Sequence, residues 1–422
     1  MAEYILLSII LATWVILGRT LFGRDSALRK MVRRRAASAQ NHEIQPEAEP
    51  EDADSTGEFA LFDPRFCCRM DIAPASLNDG GTQALAVSMC GRICVPAPMH
   101  DIQVQVLLAD ITEGCEAAQP VLCAAKQWQL DGSPAFCYKA SNGRIPTTEY
   151  VLSDWTPVVT IPIDLLRFPR RGMRTLQCIT SLFSESTGDE LTCATTSVEY
   201  RNPDLGYIDA RENAEHAEIL TVQLAVAVCG ATTAPEAPAL TVIEQWIDAR
   251  EASPPEDHEV QRCRRLAALL GEAVDTCKSG RKLDIERICS TLRSVATIVD
   301  IYDAMKLCLK TISAAGTADR AQTALIRRIA QALQVDEKRF RAMSQKILPV
   351  GLHKEKDLEF ILGITADMDP EEGRQRLRDE YQKWNARVTH PDPAIQGQAD
   401  QMLALIADAR DRLFEGVAAS PS

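Results

Sequence analysis

The hydrophobic periodicity of the chain changes at about residue 215, and this change divides the chain into two kinds of structure. Before it, residues 102–107 and 158–163 alternate apolar and polar side chains as half-buried strands do, and turn-forming clusters such as residues 78–82 separate the strand-like segments. After it, apolar residues recur at helical spacing to the end of the chain. Short strands with frequent turns favour a β-sandwich at residues 59–210, followed by all-α structure.

Length and charge narrow the class of protein further. A chain of 422 residues is too long for one ordinary hydrophobic core, and its 46% apolar and 25% charged residues are typical of globular proteins. The formal net charge of -13 argues against nucleic acid as a partner, because phosphate binding needs a basic surface. We therefore expect several folded domains and no nucleic-acid partner.

The N-terminal region is predicted to be a membrane anchor. Residues 4–18 carry no charge, and the apolar character continues beyond Arg19 to Phe22, close to the roughly 20 residues that a bilayer core requires. A cleaved signal peptide would carry positive charge before the apolar run, whereas here the basic residues follow it. The sequence predicts a transmembrane helix at residues 1–22 with the N-terminus outside, and then a basic and acidic linker at residues 23–58.

Few residue patterns in the chain are typical of a metal site or a catalytic site. The Cys67–Cys68 pair and the spacing of Cys90 and Cys94 suit zinc ligands, but no second pair at ligand spacing accompanies them. Buried, reduced thiols are the interpretation that agrees with a cytoplasmic location. His100 is the single histidine of the β region, and the chain has no Gly-rich phosphate loop. We predict no enzymatic activity, no metal and no cofactor.

The first part of the helical region contains an internal duplication. Residues 222–233 followed by 240–247 resemble residues 305–316 followed by 323–330, because each set is a small-residue-rich apolar helix, a break and an amphipathic helix. This pattern resembles the TerB-like family of all-α bundles over residues 215–349. That family typically places carboxylates suited to a divalent cation at the break. The corresponding positions here are Thr232, Ala315 and Ala321. The resemblance therefore implies the fold without the metal site.

Residues 356–415 predict two helices joined by a tight turn, before a short tail at residues 416–422. Asp369 is an N-cap and Pro370 the first helical residue. The spacing of the apolar residues predicts one core-facing stripe on each helix. These stripes are Leu377, Tyr381, Trp384 and Val388 on the first helix, and Leu403, Ile406, Ala409 and Leu413 on the second. The pattern resembles the J domain of DnaJ-type co-chaperones, which implies a helical hairpin.

The turn of this hairpin carries the triplet His390, Pro391 and Asp392. In J domains this triplet and the basic face of the preceding helix contact a DnaK-type chaperone. The resemblance therefore implies a chaperone-contact site at His390, Pro391, Asp392, Lys383 and Arg387. The residues themselves leave a second interpretation open, since Asp392 before a proline is an ordinary helix N-cap and Pro391 ends the preceding helix.

Two functions follow from this layout. The first is a co-chaperone-like, non-catalytic adaptor that is anchored in the inner membrane of a bacterium by residues 4–22, faces the cytoplasm and recruits a DnaK-type chaperone. The alternative is a scaffold of the cell envelope or of the stress response that does not stimulate a chaperone. In both, the β region binds a protein partner that its sequence does not identify.

We expect removal of residues 1–22 to release the protein from membranes, because the chain has no second apolar run of comparable length. Fractionation of cells that express the full and the truncated chain measures this. Deletion of residues 36–58 is the matched control and should leave the protein in the membrane. Recovery of the truncated chain in the pellet after a high-salt wash would contradict the prediction.

Overall fold

The computed structural model describes residues 65–74, 83–231, 235–250, 257–316, 318–348, 358–364 and 368–418. The fold is mixed α and β, with several antiparallel sheets and ten α-helices in this described part. The chain divides into two compact units, Met1–Arg211 and Glu212–Ser422. The predicted membrane helix and the linker lie outside the described residues. Within the described ranges, no helix is both long and apolar enough to cross a bilayer.

The first unit is built from antiparallel strands. The strands are β1 (Cys67–Pro74), β2 (Gln83–Cys94), β3 (His100–Asp110), β4 (Gln119–Pro120), β5 (Leu122–Cys123), β6 (Cys137–Ile145), β7 (Glu149–Pro162), β8 (Leu166–Arg167), β9 (Gly172–Ser184) and β10 (Glu190–Asn202). One sheet has the order β1-β2-β7; a second has the order β10-β9-β3-β4, with β6 also paired to β3; and β5 pairs with β8. Of the two segments whose alternation predicted strands, residues 102–107 lie in β3 and residues 158–162 in β7, whereas Ile163 begins a short 3-10 helix.

One cluster of buried side chains joins the two larger sheets. It contains Val87 from β2, Val106 from β3 and Leu176 from β9, and all three are almost fully buried. Successive side chains of a strand point to opposite faces, so the alternation along β2 places one apolar face in this cluster and leaves the other half-exposed. Burial of this apolar face is the main stabilising contribution to the unit.

A buried ion pair lies between β3 and β9. The guanidinium of Arg174 donates from Nε and Nη2 to the two carboxylate oxygens of Asp110, at 2.7 and 3.0 Å. Asp110 also accepts from the backbone N–H and the hydroxyl of Thr112, at 3.0 and 2.6 Å. Only 1% of the Asp110 side chain and 7% of the Arg174 side chain are exposed. These four hydrogen bonds compensate for the cost of removing two charges from water.

The second unit is all-α from Glu212 onward. A single cluster of buried apolar side chains contains residues of every described helix, from Ala217 to Ala409. Residues 215–349 and 356–415 therefore share one core within this unit. The helices are α1 (Tyr207–Cys229), α2 (Ala237–Asp248), α3 (Asp257–Lys278), α4 (Ile285–Val295), α5 (Ile298–Ala314), α6 (Arg320–Ala332), α7 (Glu337–Ile347), α8 (Leu358–Leu362), α9 (Pro370–Asn385) and α10 (Pro393–Ala418).

The repeated segments of the sequence form equivalent elements. Residues 222–229 lie in α1 and residues 240–247 in α2, while residues 305–314 lie in α5 and residues 323–330 in α6. Each half is thus a long helix, a break and a second helix. Ala315 is the C-cap of α5. The last helix continues to Ala418, so the predicted tail begins three residues later than expected.

We expect Arg174→Met to lower the free energy of unfolding of the β unit by about 3–5 kcal/mol, because Asp110 would keep its buried charge and lose its charged partner. Urea denaturation followed by tryptophan fluorescence measures this. Arg144→Met is the matched control, since Arg144 makes the same two-bonded contact with Asp101 on the exposed surface and should change stability little. Equal effects of the two substitutions would contradict the prediction.

Candidate functional site

Three of the five residues that the resemblance to J domains implies as a chaperone-contact site lie at the turn between α9 and α10. His390, Pro391 and Asp392 are all exposed. Asp392 Oδ1 accepts from the backbone N–H of Ala394 at 2.9 Å, as an N-cap does, and Pro393 is the first residue of α10. The backbone N–H of Asp392 donates to Nδ1 of His390 at 3.1 Å. Both polar side chains of the triplet therefore bond to backbone of the turn itself.

The beginning of α9 follows the sequence prediction. Asp369 is its N-cap, and Oδ2 of Asp369 accepts from the backbone N–H groups of Glu371 and Glu372 at 3.1 and 3.2 Å. Pro370 is the first helical residue, where its missing N–H leaves no hydrogen bond unmade. The cap fixes the start of the helix that leads to the turn.

The predicted apolar stripe of α9 is wrong at Tyr381, and Val388 lies beyond the end of the helix at Asn385 and is half-buried. Leu377 and Trp384 are buried, but Tyr381 is 50% exposed. Glu380, the residue before Tyr381, points inward instead and is only 9% exposed. Trp384 Nε1 donates to Glu380 Oε2 at 3.0 Å, and this bond holds the carboxylate on the buried face. The helix is therefore rotated so that an acidic residue, rather than the tyrosine, packs against its neighbours.

The facing stripe on α10 is confirmed in part. Ile406 and Ala409 are buried as predicted, and Leu403 is half-buried. Met402 and Leu405 are buried as well, which the sequence analysis missed. The side chain of Leu413 lies outside the described residues. The buried face is wider than the predicted one, because α10 packs against other elements of the unit as well as against α9.

A buried amide joins the hairpin to the rest of the unit. Gln345 on α7 donates from Nε2 to the carbonyl of Ile361 on α8 at 3.1 Å, and its Oε1 accepts from Nζ of Lys383 at 2.6 Å. Lys383 Nζ also lies 3.1 Å from Oε2 of Glu380. Gln398 on α10 donates to the backbone carbonyl of Gln345 at 2.6 Å. One residue thus makes hydrogen bonds to three helices.

The basic residues of α9 are unequally available. Lys383 is partly buried and its ammonium is engaged by Gln345 and Glu380. Arg387 is exposed, and its guanidinium stacks 4.6 Å from the ring centre of Trp384. Arg378 is exposed and pairs with Glu371 at 3.8 Å. Of the two basic residues predicted to contact a chaperone, Arg387 is exposed, whereas Lys383 is partly buried and its ammonium is hydrogen-bonded.

An open groove of about 390 Å³ runs between α7 and α9. Its charged walls mix both signs, so it offers no uniform field to a charged ligand. The described residues contain no group of three or more histidine, cysteine or acidic side chains that could hold a metal ion. The residues that line the groove include Lys338 and Arg341 from α7 and Glu372, Arg376, Asp379, Glu380 and Lys383 from α9.

Comparison with known proteins adds little to this geometry. No family model and no curated protein matches the chain. A crystal structure of Bacteroides uniformis beta-glucuronidase is 10% identical over 75% of this chain and 38% of its own, with a TM-score of 0.18. The structure of Bacteroides uniformis beta-glucuronidase 2 covalently bound to cyclophellitol-6-carboxylate aziridine is 11% identical over 82% and 44%, also with a TM-score of 0.18.

The chain therefore spans about two-fifths of the length of these two solved structures. At a TM-score of 0.18, neither similarity supports a conclusion about the fold or the activity of this chain. The resemblances of residues 215–349 to the TerB-like family and of residues 356–415 to J domains stay predictions.

We expect Asp392→Ala to cost about 1 kcal/mol of stability, because it removes the N-cap of α10. His390→Gln should change stability by less than about 0.5 kcal/mol, since the side chain is exposed. Urea denaturation of both variants measures the difference. Asp400→Ala, at an exposed position inside α10, is the matched control and should be near neutral. A larger loss from His390→Gln than from Asp392→Ala would contradict this assignment.

Proposed function

We propose that the chain is a membrane-anchored, cytoplasm-facing, non-catalytic adaptor of co-chaperone-like architecture. In this proposal residues 1–22 form the anchor, residues 59–210 a β-sandwich that binds a protein partner, residues 215–349 a TerB-like bundle and residues 356–415 a J-like hairpin. Apart from the β domain, the order of these parts resembles the layout of the membrane co-chaperone DjlA. This resemblance in layout is what supports an adaptor over an enzyme.

The observation that carries the proposal is the exposed side of α9. Tyr381 and Arg378 are exposed about one helical turn apart, and Arg387 and His390 are exposed between the end of α9 and the start of α10. Tyrosine and arginine are enriched at protein–protein interfaces because they combine a large contact area with hydrogen-bond donors. The buried bonds of Glu380 and Gln345 hold this surface in one orientation, which lowers the entropic cost of binding. We therefore assign partner binding to this surface, hereafter the α9 surface.

A second candidate is recruitment of a DnaK-type chaperone through His390, Pro391 and Asp392. The specific observation in its favour is that all three residues are exposed on a turn between antiparallel helices. The position of Lys383 weighs against it. To contact a chaperone, the ammonium of Lys383 would have to break its hydrogen bonds to Gln345 and to the buried carboxylate of Glu380. We rank this candidate below an adaptor with another partner.

Photo-crosslinking from position 381 tests both candidates. A photoreactive phenylalanine analogue replaces Tyr381 in the full-length, membrane-bound chain, and we expect one discrete crosslinked partner. The matched control places the same analogue at Gln375, which is exposed on α9 but bonds to Asp379. Arg378→Glu, in combination with the analogue at 381, should weaken the crosslink. Equal products from both positions, or none, would overturn the proposal.

The identity of the partner separates the two candidates. A DnaK-type chaperone in the product, with ATPase stimulation that His390→Gln abolishes, would establish the second candidate in place of the first. Another protein in the product, with no ATPase stimulation by the wild-type chain, would support the adaptor. Asp400→Ala is the matched control in both assays. Asp400 is exposed on α10 away from the turn, so this substitution should leave the crosslink and the ATPase readout unchanged.

A further inference from the structure

Two cysteine side chains face each other across the first pair of strands. Cys67 on β1 and Cys90 on β2 are direct partners in the antiparallel register, and their sulfur atoms are 3.0 Å apart. Directly opposed residues of antiparallel strands have Cα atoms about 4.5–5.5 Å apart. A disulfide requires a Cα separation of about 4.4–6.8 Å. The backbone therefore already satisfies the distance that a disulfide needs.

A glycine beside Cys90 lets the two strands meet this closely. Gly91 has a φ of +105°, and a Cβ at this position would come within 2.1 Å of the carbonyl oxygen of Arg65. Only glycine accepts both the backbone angle and the contact without strain. The backbone just before Cys67 thus lies against the backbone just after Cys90, which fixes the two thiols opposite each other.

The two thiols lie on the face of the sheet that points away from the core. Cys68 and Met70 on β1 are buried, so the alternating Cys67 and Arg69 point to the other face. Arg69 is exposed on that face and stacks 4.8 Å from the ring centre of Trp155. Cys67 and Cys90 are both half-exposed. Small solutes can reach this pair, in contrast to the fully buried thiols of the chain.

We propose that Cys67 and Cys90 form a site of reversible oxidation, where a small-molecule disulfide such as oxidised glutathione converts the two thiols to an intramolecular disulfide. The thiolate of one cysteine attacks oxidised glutathione, forms a mixed disulfide and releases one glutathione thiol. The thiolate of the second cysteine then attacks the protein sulfur of this mixed disulfide, which forms the intramolecular disulfide and releases the second glutathione as a thiol. Two protein thiols lose two hydrogens and two electrons, and one oxidised glutathione becomes two reduced molecules.

Partial burial of Cys67 affects how the rate of this thiol–disulfide exchange depends on pH. Partial burial, together with the hydrogen bond to Cys90, raises the pKa of the Cys67 thiol to about 11. Because the thiolate is the nucleophile, only a small fraction of Cys67 is reactive at neutral pH, and that fraction grows as the pH approaches 11. Attack by Cys67 on a disulfide should therefore be slow at neutral pH and become faster as the pH rises.

Oxidation would act on the point where the described β unit begins. In its sheet β1 pairs with β2 alone, so it is the end strand of the order β1-β2-β7. The predicted linker at residues 23–58 precedes this strand. A disulfide would tie the strand covalently to β2 and prevent it from separating from the sheet. Oxidising conditions would thus hold in place the first described strand that follows the predicted linker.

Peptide mapping of the full-length chain in detergent tests the proposal. The folded protein is incubated with oxidised glutathione, alkylated under denaturing conditions and digested with trypsin. Cleavage at the basic residues of this region yields residues 66–69 and residues 70–92, which contain Cys67 and Cys90 respectively. We expect these two peptides to be linked, with the link formed faster at pH 9 than at pH 7 and removed by dithiothreitol.

Single substitutions assign the link, because Cys68 lies in the same peptide as Cys67. Cys67→Ser and Cys90→Ser should each abolish it, whereas Cys68→Ser and Cys94→Ser should retain it. Circular dichroism of each variant controls for folding. A link that persists in Cys67→Ser, one that forms only in denaturant, or glutathione adducts with no peptide link would overturn the proposal.

Discussion

Burial of one carboxylate, that of Glu380, decides how the C-terminal hairpin is arranged. A carboxylate removed from water must be compensated by hydrogen bonds, and the donors here are the indole N–H of Trp384, the ammonium of Lys383 and the amide of Gln345. These partners fix the rotation of α9 about its axis. The same rotation exposes Tyr381 and brings the ammonium of Lys383 to Glu380 and Gln345, so it creates the α9 surface and limits what that surface can bind.

Gln345 connects α9 by hydrogen bonds to the neighbouring helices of the unit. Its bonds reach the carbonyl of Ile361, the ammonium of Lys383 and the amide of Gln398, which belong to three successive helices. Hydrogen bonds in a low-dielectric interior are strong and directional, so a single amide can fix the mutual positions of several elements. The hairpin is therefore part of the larger helical core and should depend on α7 for its structure. A fragment that began after α7 would lose these bonds and expose apolar surface.

The adjacent residues Cys67 and Cys68 lie on opposite faces of β1 and therefore have different surroundings. Cys68 lies in the core beside Cys178, whose pKa is raised well above its usual range by the hydrogen bond with Cys68 and by burial. Cys67 lies on the opposite face beside Cys90. Identical side chains thus become a buried core thiol and one half of a half-exposed dithiol because the strand alternates at every residue.

The sequence alone determined the features that depend on near neighbours. The change from strand to helical periodicity, the N-cap at Asp369 and the N-cap at Asp392 all follow from residues a few positions apart, because periodicity and capping are local properties of the backbone. The tertiary structure decided which of two adjacent residues, Glu380 or Tyr381, is buried. It also decided that Lys383 bonds Gln345, 38 residues away, and that Cys67 faces Cys90, 23 residues away. These contacts depend on how distant elements pack, and the spacing of residues along one element carries no information about its partner.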